Sequence, residues 1–167
     1  IEHLHQNLEA HPDVPLRVHA RHGRNEILAA LGNKEDSRAR VDQWREGVKW
    51  LPEPQVDAFV FTFGKNSSGF TSTTAYRDYA ISPTLIHWES QSTTPSVSPT
   101  GKRYINHAER GSHVFLFCRK STRDRGFWFL GPATYVRHKS SRPMQITWKL
   151  KHAIPGDLYV EFAAAVA

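Results

Sequence analysis

The run AFVFTF at residues 58–63 is the clearest strand signal in the chain, and the rest of the sequence is interpreted around it. Its β-branched and aromatic side chains favour a pleated surface, and GKN at residues 64–66 ends the run. Phe59, Phe61 and Phe63 alternate along it, which is typical of one face packed in a core. We therefore predict a core strand here.

Further short apolar runs on both sides predict other strands, separated by Gly, Pro and Ser. Helices between the strands are missing, which argues against a parallel βαβ architecture and for a small barrel or sandwich. The count is about seven strands with one or two short helices, a mainly β (α+β) fold. Besides 58–63, the predicted strands cover residues 48–50, the neighbourhood of 85–86, 113–119, 127–130, 133–138 and 144–150, and residues 16–20 are a short strand or an extended lead-in.

Two segments predict the short helices. In residues 25–32, Asn25 is a suitable N-cap and Gly32 can close the helix in a left-handed conformation. In residues 98–107, Ser98 is the expected cap and a proline follows at the first helical position.

A mixture of rings and polar groups occupies DYAISPTLIHWESQS, residues 78–92. Leu85 and Ile86 are its only adjacent bulky aliphatic residues, whereas Tyr79, His87 and Trp88 add polar-tipped rings. Such a composition suits a lined pocket better than a dry core. We predict that the barrel is built around this stretch, with a basic surface beside it.

The length of 167 residues predicts one domain at residues 15–167, preceded by a linker or lead-in at 1–14. The first residue is Ile1 and the only methionine is Met144, which indicates a piece of a longer protein. No apolar run approaches a membrane span and no signal peptide opens the chain, so we expect a cytoplasmic protein without a membrane partner. The single cysteine, Cys118, is expected to be a buried thiol.

The charge balance permits a nucleic-acid ligand without requiring one. The chain has 22 Lys and Arg against 16 Asp and Glu, which gives a formal net charge of +6. A basic surface of this size attracts phosphate groups, and the sequence shows no basic amphipathic helix that would favour a membrane surface instead.

The known catalytic motifs are missing from the sequence. We find no phosphate-binding loop, nucleophile elbow, metalloprotease helix or cysteine metal knuckle. Asn106-His107 is similar to part of a nuclease motif, but the further histidines of such a metal site are not identified. Asp78, Glu89 and Glu109 have no spacing that links them. We therefore expect no catalytic, metal or cofactor site in this chain.

Ten collinear blocks between about residues 15 and 150 carry a family resemblance. They are PLRVHAR (15–21), NEILAALG (25–32), EGV (46–48), DYAISPTL (78–85), HW (87–88), SQS (90–92), SPTG (98–101), RYINH (103–107), FLGP (129–132) and RPM (142–144). In these blocks the chain resembles the domain of long-unknown function at the C-terminus of certain bacterial helicase–nuclease fusions, including type IV restriction enzymes that attack cytosine-methylated DNA. It is also similar to actinobacterial 5-methylcytosine-binding proteins. Glu89 departs from the family pattern, in which we expect Gln.

The resemblance implies a PUA/SRA-like barrel that reads 5-methylcytosine by accepting a flipped base, with no catalysis of its own. A flipped base needs ring faces, acceptors for the cytosine amine and donors for the ring oxygen. Flipping costs a few kcal/mol and stacking returns roughly 1–3 kcal/mol per base, so contacts to the DNA backbone must supplement the pocket. The candidates for the modified-base pocket are Tyr76, Asp78, Tyr79, His87, Trp88, Ser90, Gln91, Tyr104 and Asn106. The candidates for the DNA backbone are Lys65, Lys102, Arg103, Arg110, Arg137, Lys139 and Arg142.

The resemblance also implies two partners. One is methylated double-stranded DNA, and the other is a nuclease or helicase module, in the same longer chain or separate, that the reader targets in type IV restriction. Two alternatives stay open: a nuclease domain with an unrecognised site, and a structural or dimerisation module of a helicase–nuclease.

Overall fold

The computed structural model of the chain describes residues 9–11, 14–32, 44, 47–63, 78–90 and 94–166. The loops expected at 33–43 and 67–74, and the predicted site residues Lys65, Tyr76 and Gln91, lie outside these ranges. Within them, no helix has the length and apolar character needed to cross a membrane. No group of three or more His, Cys, Asp or Glu side chains in the same ranges is arranged to hold a metal ion.

Ten strands and three helices form the described part of the chain, which confirms the mainly β fold. The strands are β1 Glu9–His11, β2 Val14–Arg17, β3 Arg21–Gly23, β4 Val48–Leu51, β5 Val56–Thr62, β6 Tyr79–Ser82, β7 Leu85–Glu89, β8 His113–Arg119, β9 Gly126–Lys139 and β10 Gln145–Leu150. The helices are α1 Arg24–Ala30, α2 Pro99–Asn106 and α3 Gly156–Val166.

Eight of the strands form one mixed sheet. Its order is β4-β5-β8-β9-β10-β7-β6, and β3 pairs with β9 beside this path. β5 and β8 run parallel, and the connection between them contains β6, β7 and α2. β4 pairs antiparallel with β5, and β9 pairs antiparallel with β8. β1 and β2 form a separate antiparallel pair, so residues 9–11 of the predicted lead-in are attached to the start of the domain.

The main sheet curls, because side chains from distant strands meet. Three strands separate β5 from β7 in the sheet, yet the ring centroids of Phe59 and Trp88 are 4.7 Å apart. Trp148 on β10 packs edge-on against the same Phe59 at 5.3 Å. The concave side of the sheet therefore encloses one core, which is the barrel-like arrangement expected from many short strands.

The other face of the central strands packs a second core beneath α1. Ile27 and Leu28 of α1 are fully buried there, and the rings of Phe117 and Phe129 stack at 4.5 Å. β5 serves both cores: its alternate phenylalanines face the first core, as predicted, and its other apolar side chains face the second. A strand covered on both faces is apolar throughout, which explains why residues 58–63 give so strong a signal.

Two predicted strands, 127–130 and 133–138, are one strand, β9. Gly131, with φ of +92°, lies where the register shifts between Leu116 and Phe117 of β8. The GP dipeptide at residues 131–132 predicts a break between two strands, but a glycine in the left-handed region also forms a bulge that bends a strand without ending it.

The helix predictions need two corrections. α1 begins at Arg24 with Gly23 as its cap, so Asn25 is inside the first turn; the Gly23 N–H donates to the Glu26 carboxylate at 3.3 Å. The predicted ending holds, since Gly32 has φ of +78°. The apolar run 158–162 lies in α3, a third helix. Leu158 and Phe162, which are one helical turn apart, pack into the first core.

Candidate functional site

A cavity of about 570 Å³ opens between β4 and β5 on one side and β7 and α2 on the other. This volume is in the range of about 300–1,000 Å³ that small-molecule sites occupy. Its lining combines aromatic, apolar, hydroxyl and charged residues: Gly47, Val48, Trp50, Val60, Phe61, Thr62, Asp78, Trp88, Glu89, Ser90, Thr94, Thr100, Arg103 and Tyr104.

The turn before α2 fixes the position of this helix. As predicted, Ser98 caps it: its Oγ accepts a hydrogen bond from the Gly101 N–H at 3.0 Å, and Pro99 is the first helical residue. A Cβ on Gly101 would lie 2.4 Å from the carbonyl oxygen of Pro95, so only glycine allows the turn to pack this closely. This close packing positions α2 so that Arg103 and Tyr104 lie at the cavity wall.

Two predicted pocket rings, Trp88 and Tyr104, meet in the wall of the cavity. They are 5% and 3% exposed and both contact Phe59, at 4.7 and 5.1 Å between centroids. Their own centroids are 5.9 Å apart and their planes are at 85°. Because the two rings are perpendicular, a planar ligand cannot lie parallel to both of them.

Arg103 is held inside the wall by three contacts. Its Nε and Nη2 donate to the two carboxylate oxygens of Asp57, both at 2.8 Å, and its Cζ lies 4.6 Å from the centre of the Trp50 ring. The Asp57 side chain is 0% exposed and that of Arg103 is 20% exposed. Burial raises the pKa of Asp57, although the guanidinium of Arg103 opposes this shift. The pair fixes a cationic fork at the cavity.

Asp78 brings a titratable carboxyl to the cavity. Its Oδ1 accepts a hydrogen bond from the Glu89 N–H at 3.0 Å, which joins the start of β6 to the end of β7. Burial raises the pKa of Asp78 to about 7, although the hydrogen bond from Glu89 opposes the shift. At neutral pH this carboxyl is therefore divided between its acid and carboxylate forms.

Asp78→Asn is expected to stabilise the protein by a few kcal/mol, at most about 4 kcal/mol, at pH 8 and to change the stability little at pH 4. The folded-state pKa of about 7 lies above the ordinary value of 3.8, so the native state holds this proton more firmly than the unfolded chain. The stability of the wild type therefore falls as the pH rises from about 4 to about 7, and the amide removes this decline. Urea unfolding across this pH range measures the difference.

Glu53→Gln, which removes one exposed carboxylate, is the control and should follow the wild-type curve. An Asp78→Asn curve that stays parallel to the wild type throughout would contradict the raised pKa.

The side chains of Ser90 and His107 are hydrogen-bonded to backbone groups and stabilise the fold. The Ser90 hydroxyl donates to the Thr94 carbonyl at 3.1 Å and accepts from the Met144 N–H at 2.9 Å. His107 Nε2 accepts from the Tyr135 N–H at 3.1 Å, and burial lowers the pKa of this imidazole. Ser90 borders the cavity as predicted, but its hydroxyl is already used.

Tyr79 and His87 lie on the opposite face of the sheet from Trp88. Ile86 and Trp88 of β7 point into the core, and His87 between them stacks on Tyr79 at 4.6 Å with an angle of 19°. His87 Nε2 also lies 3.5 Å from Glu89 Oε1. Successive side chains of a strand face opposite sides. Within the described ranges, these two rings and Asn106 do not line the cavity.

The predicted phosphate-binding residues also divide into two groups. Arg103 is paired with Asp57 inside the wall, so its charge is compensated and it is not a free cation for the DNA backbone, in contrast to the prediction. The side chains of Lys102, Arg110, Arg137, Lys139 and Arg142 are exposed and remain candidates.

Sequence reasoning missed the side of the cavity contributed by β4 and β5. Trp50, Phe61 and Thr62 line this side, and Glu89 of β7 also lines the cavity. Trp50 gave a usable signal, because a large aromatic residue at the end of a short strand before two prolines is a plausible binding residue. Phe61 gave none, since its position in the core strand explains it fully.

The sequence matches a family model, and the fold is similar to solved structures. A family model for a domain of unknown function, DUF3427, matches residues 16–162. No curated protein matches the sequence. The fold is similar to the SRA domain of SUVH5 in its complex with hemi-methylated CG DNA, with a TM-score of 0.52 and 10% identity over 84% of this chain and 92% of that chain. It is also similar to Arabidopsis thaliana SUVH6 in complex with SAM, with a TM-score of 0.52 and 11% identity over 93% of this chain and 30% of that chain. At this identity the likeness establishes the fold alone, and the predicted SRA-like fold is confirmed.

Proposed function

This chain belongs to the DUF3427 family and has the fold of an SRA domain, and on that basis we propose that it reads modified cytosine in duplex DNA. The preferred base is 5-methylcytosine, which flips out of the duplex into the cavity between β5, β7 and α2. The observation that carries the proposal is the meeting of two buried ring faces and a titratable carboxyl in one cavity. The SUVH5 domain, which shares the fold, is bound to hemi-methylated DNA.

Trp88 is the proposed stacking platform for the flipped base. The Trp88 ring is perpendicular to the Tyr104 ring, so a base that stacks on the face of Trp88 has its edge against Tyr104. Val48 and Phe61 give the C5 methyl group an apolar place in the same cavity. One methyl group is worth only about 1–3 kcal/mol, so we expect a preference over plain cytosine of roughly 10- to 200-fold.

Asp78 is the proposed reader of the cytosine Watson–Crick edge. A protonated carboxyl donates its O–H to N3 and accepts from the N4 amine, and a carboxylate makes the same pair with a cytosine protonated at N3. Either way the pair holds one proton. With a pKa of about 7, Asp78 carries that proton in about half of the molecules at neutral pH, before the base arrives.

Arg103 supplies a fixed donor in the same cavity. The pair with Asp57 engages Nε and Nη2, which leaves Nη1 of the fork outside the pair. A guanidinium held against a ring and a carboxylate loses little further freedom when it donates to a base oxygen. We propose this contact to O2 of cytosine in place of the phosphate contact expected from the sequence.

The reader performs no catalysis in this proposal. It brings a nuclease or helicase module, in a longer chain or a partner, to methylated DNA, as the family resemblance implies. The exposed cations Lys102, Arg110, Arg137, Lys139 and Arg142 contact phosphates and supply the affinity that stacking alone does not.

The affinity for 5-methylcytosine duplex is expected to fall about tenfold between pH 6 and pH 8, because the Asp78–cytosine pair must retain one proton while the free carboxyl loses it with a pKa of about 7. Fluorescence anisotropy at constant salt measures this. Asp78→Asn presents an amide that keeps the Glu89 hydrogen bond and does not titrate, so its affinity should be independent of pH over the same range. The same decline in the variant would assign the effect to another group, and an affinity that rises with pH would contradict the proposed pairing.

A further inference from the structure

Arg24 and Arg119 lie against the same buried ring. Their Cζ atoms are 5.2 and 4.8 Å from the centroid of Phe127, which is 1% exposed. The two arginines come from different elements: Arg24 is the first residue of α1, and Arg119 is the last residue of β8. The fold thus brings two cations to one ring, and we call these two residues the arginine pair.

The hydrogen bonds of the arginine pair go to neutral oxygens. Arg119 Nε donates to the Thr62 hydroxyl at 2.9 Å, and its Nη1 donates to the Asp124 carbonyl at 3.0 Å. The Nε of Arg24 is buried and has no hydrogen-bond partner in the described part of the chain. Among the described residues, no carboxylate oxygen lies within 4.0 Å of either guanidinium.

The arginine pair is therefore an under-compensated cluster of positive charge. Burial lowers the pKa of Arg24, and burial together with the charge of Arg24 lowers the pKa of Arg119, although the Asp124 carboxylate opposes this. His22 lies opposite Phe127 in the strand register, and its buried Nε2 has no partner within the described ranges. Glu26 is the acidic neighbour; its exposed carboxylate accepts from the Gly23 N–H and lies 3.7 Å from His22 Nδ1.

We propose that the arginine pair binds a phosphate group of the DNA backbone beside the base cavity, an inference that rests on the proposed reader function. Guanidinium groups offer the paired N–H donors that phosphodiester oxygens accept, and their positive charge attracts its negative charge. Thr62 connects the two sites, because it lines the cavity and also accepts the hydrogen bond from Arg119.

The test compares the salt dependence of duplex binding by the wild type, Arg24→Gln/Arg119→Gln and the control Arg125→Gln, an exposed arginine with the same change of charge. Each lost phosphate contact lowers the slope of log affinity against log salt by about 0.9, so the double variant, which loses one such contact, should lose about one unit of slope. We expect it to bind methylated and plain duplexes roughly tenfold more weakly at about 0.15 M salt, with an unchanged ratio between them. The control should keep the wild-type slope.

A double variant that stays folded and keeps the wild-type slope would overturn the inference. Arg24→Gln alone removes no hydrogen bond of the described structure and should lose part of this unit of slope, so it replaces the double variant if the latter fails to fold. The salt slope is also measured on plain DNA, so its outcome is distinct from that of the reader proposal. The reader proposal fails if the wild type shows no preference for methylated duplex.

Inorganic phosphate supplies a second measurement that needs no DNA. Phosphate should raise the Tm of the wild type above its value in chloride at equal ionic strength, and the double variant should lose this increment. An equal increment in both proteins would show that the arginine pair does not bind the anion.

Discussion

Replacing Arg103 by Met is expected to destabilise the fold by about 3 kcal/mol at pH 7, one of the two largest effects that we predict. The substitution leaves the Asp57 carboxylate, which is 0% exposed, without its bidentate partner. A buried charge that loses its partner costs more than the pair contributed, and protonation of Asp57 limits this cost as the pH falls. Urea unfolding at pH 5 and pH 7 should therefore show the smaller loss at pH 5.

The double variant Asp57→Asn/Arg103→Met removes both charges and should recover most of the lost stability. Arg142→Met, at an exposed position, should change the stability by less than about 0.5 kcal/mol. A loss for Arg103→Met as small as that of Arg142→Met would contradict the role of the pair as a fixed part of the cavity wall.

Replacing Trp88 by Leu is expected to weaken binding of 5-methylcytosine duplex roughly 10- to 100-fold, because stacking on an aromatic ring is worth about 1–3 kcal/mol per base. Plain duplex, bound mostly through its backbone, should lose much less. Leu keeps an apolar side chain in a core position that is 5% exposed, so the variant tests the flat ring rather than polarity. Titrations of both duplexes at one salt concentration measure the ratio.

Trp148→Leu is the matched control for this experiment. Trp148 belongs to the same core and also packs edge-on against Phe59, but it does not line the cavity. Both substitutions should cost several kcal/mol of stability, of the order of 3 kcal/mol, so both proteins are compared at a temperature where circular dichroism shows them folded. Equal losses for both duplexes with Trp88→Leu, or the same loss of preference with Trp148→Leu, would show that folding damage is the cause.

The strands were predictable because their apolar runs are short and well separated. Residues 58–63, 113–119 and 144–150 match β5, β8 and β10 to within about two residues. The GP dipeptide within β9 and the run that forms α3 were not predictable in the same way. In both cases tertiary packing decided: a bulge at Gly131 keeps the strand continuous, and the first core receives Phe162.

The cavity was predictable only from the side that is local in sequence. Asp78 and Trp88 are candidates because their segment is unusual in composition, and Tyr104 is a candidate through the family resemblance. Trp50 and Phe61 were missed, because only the curl of the sheet brings β4 and β5 opposite β7.

Strand parity explains the remaining differences in the predicted site. A composition-based argument places Tyr79, His87 and Trp88 together, but alternate residues of a strand face opposite sides. The same limit applies to charge: the sequence predicts that Arg103 contacts the DNA backbone, whereas in the structure its charge is paired with that of Asp57.

The most direct test of the reader proposal is a binding titration of this chain with matched duplexes at about 0.15 M salt, the range in which specific and backbone binding separate. The duplexes differ at one position, which is cytosine, 5-methylcytosine, 5-hydroxymethylcytosine or, in a paired sequence, 6-methyladenine. The proposal predicts that 5-methylcytosine duplex binds roughly 10- to 200-fold more tightly than plain cytosine duplex. Equal affinity for all four duplexes would contradict it.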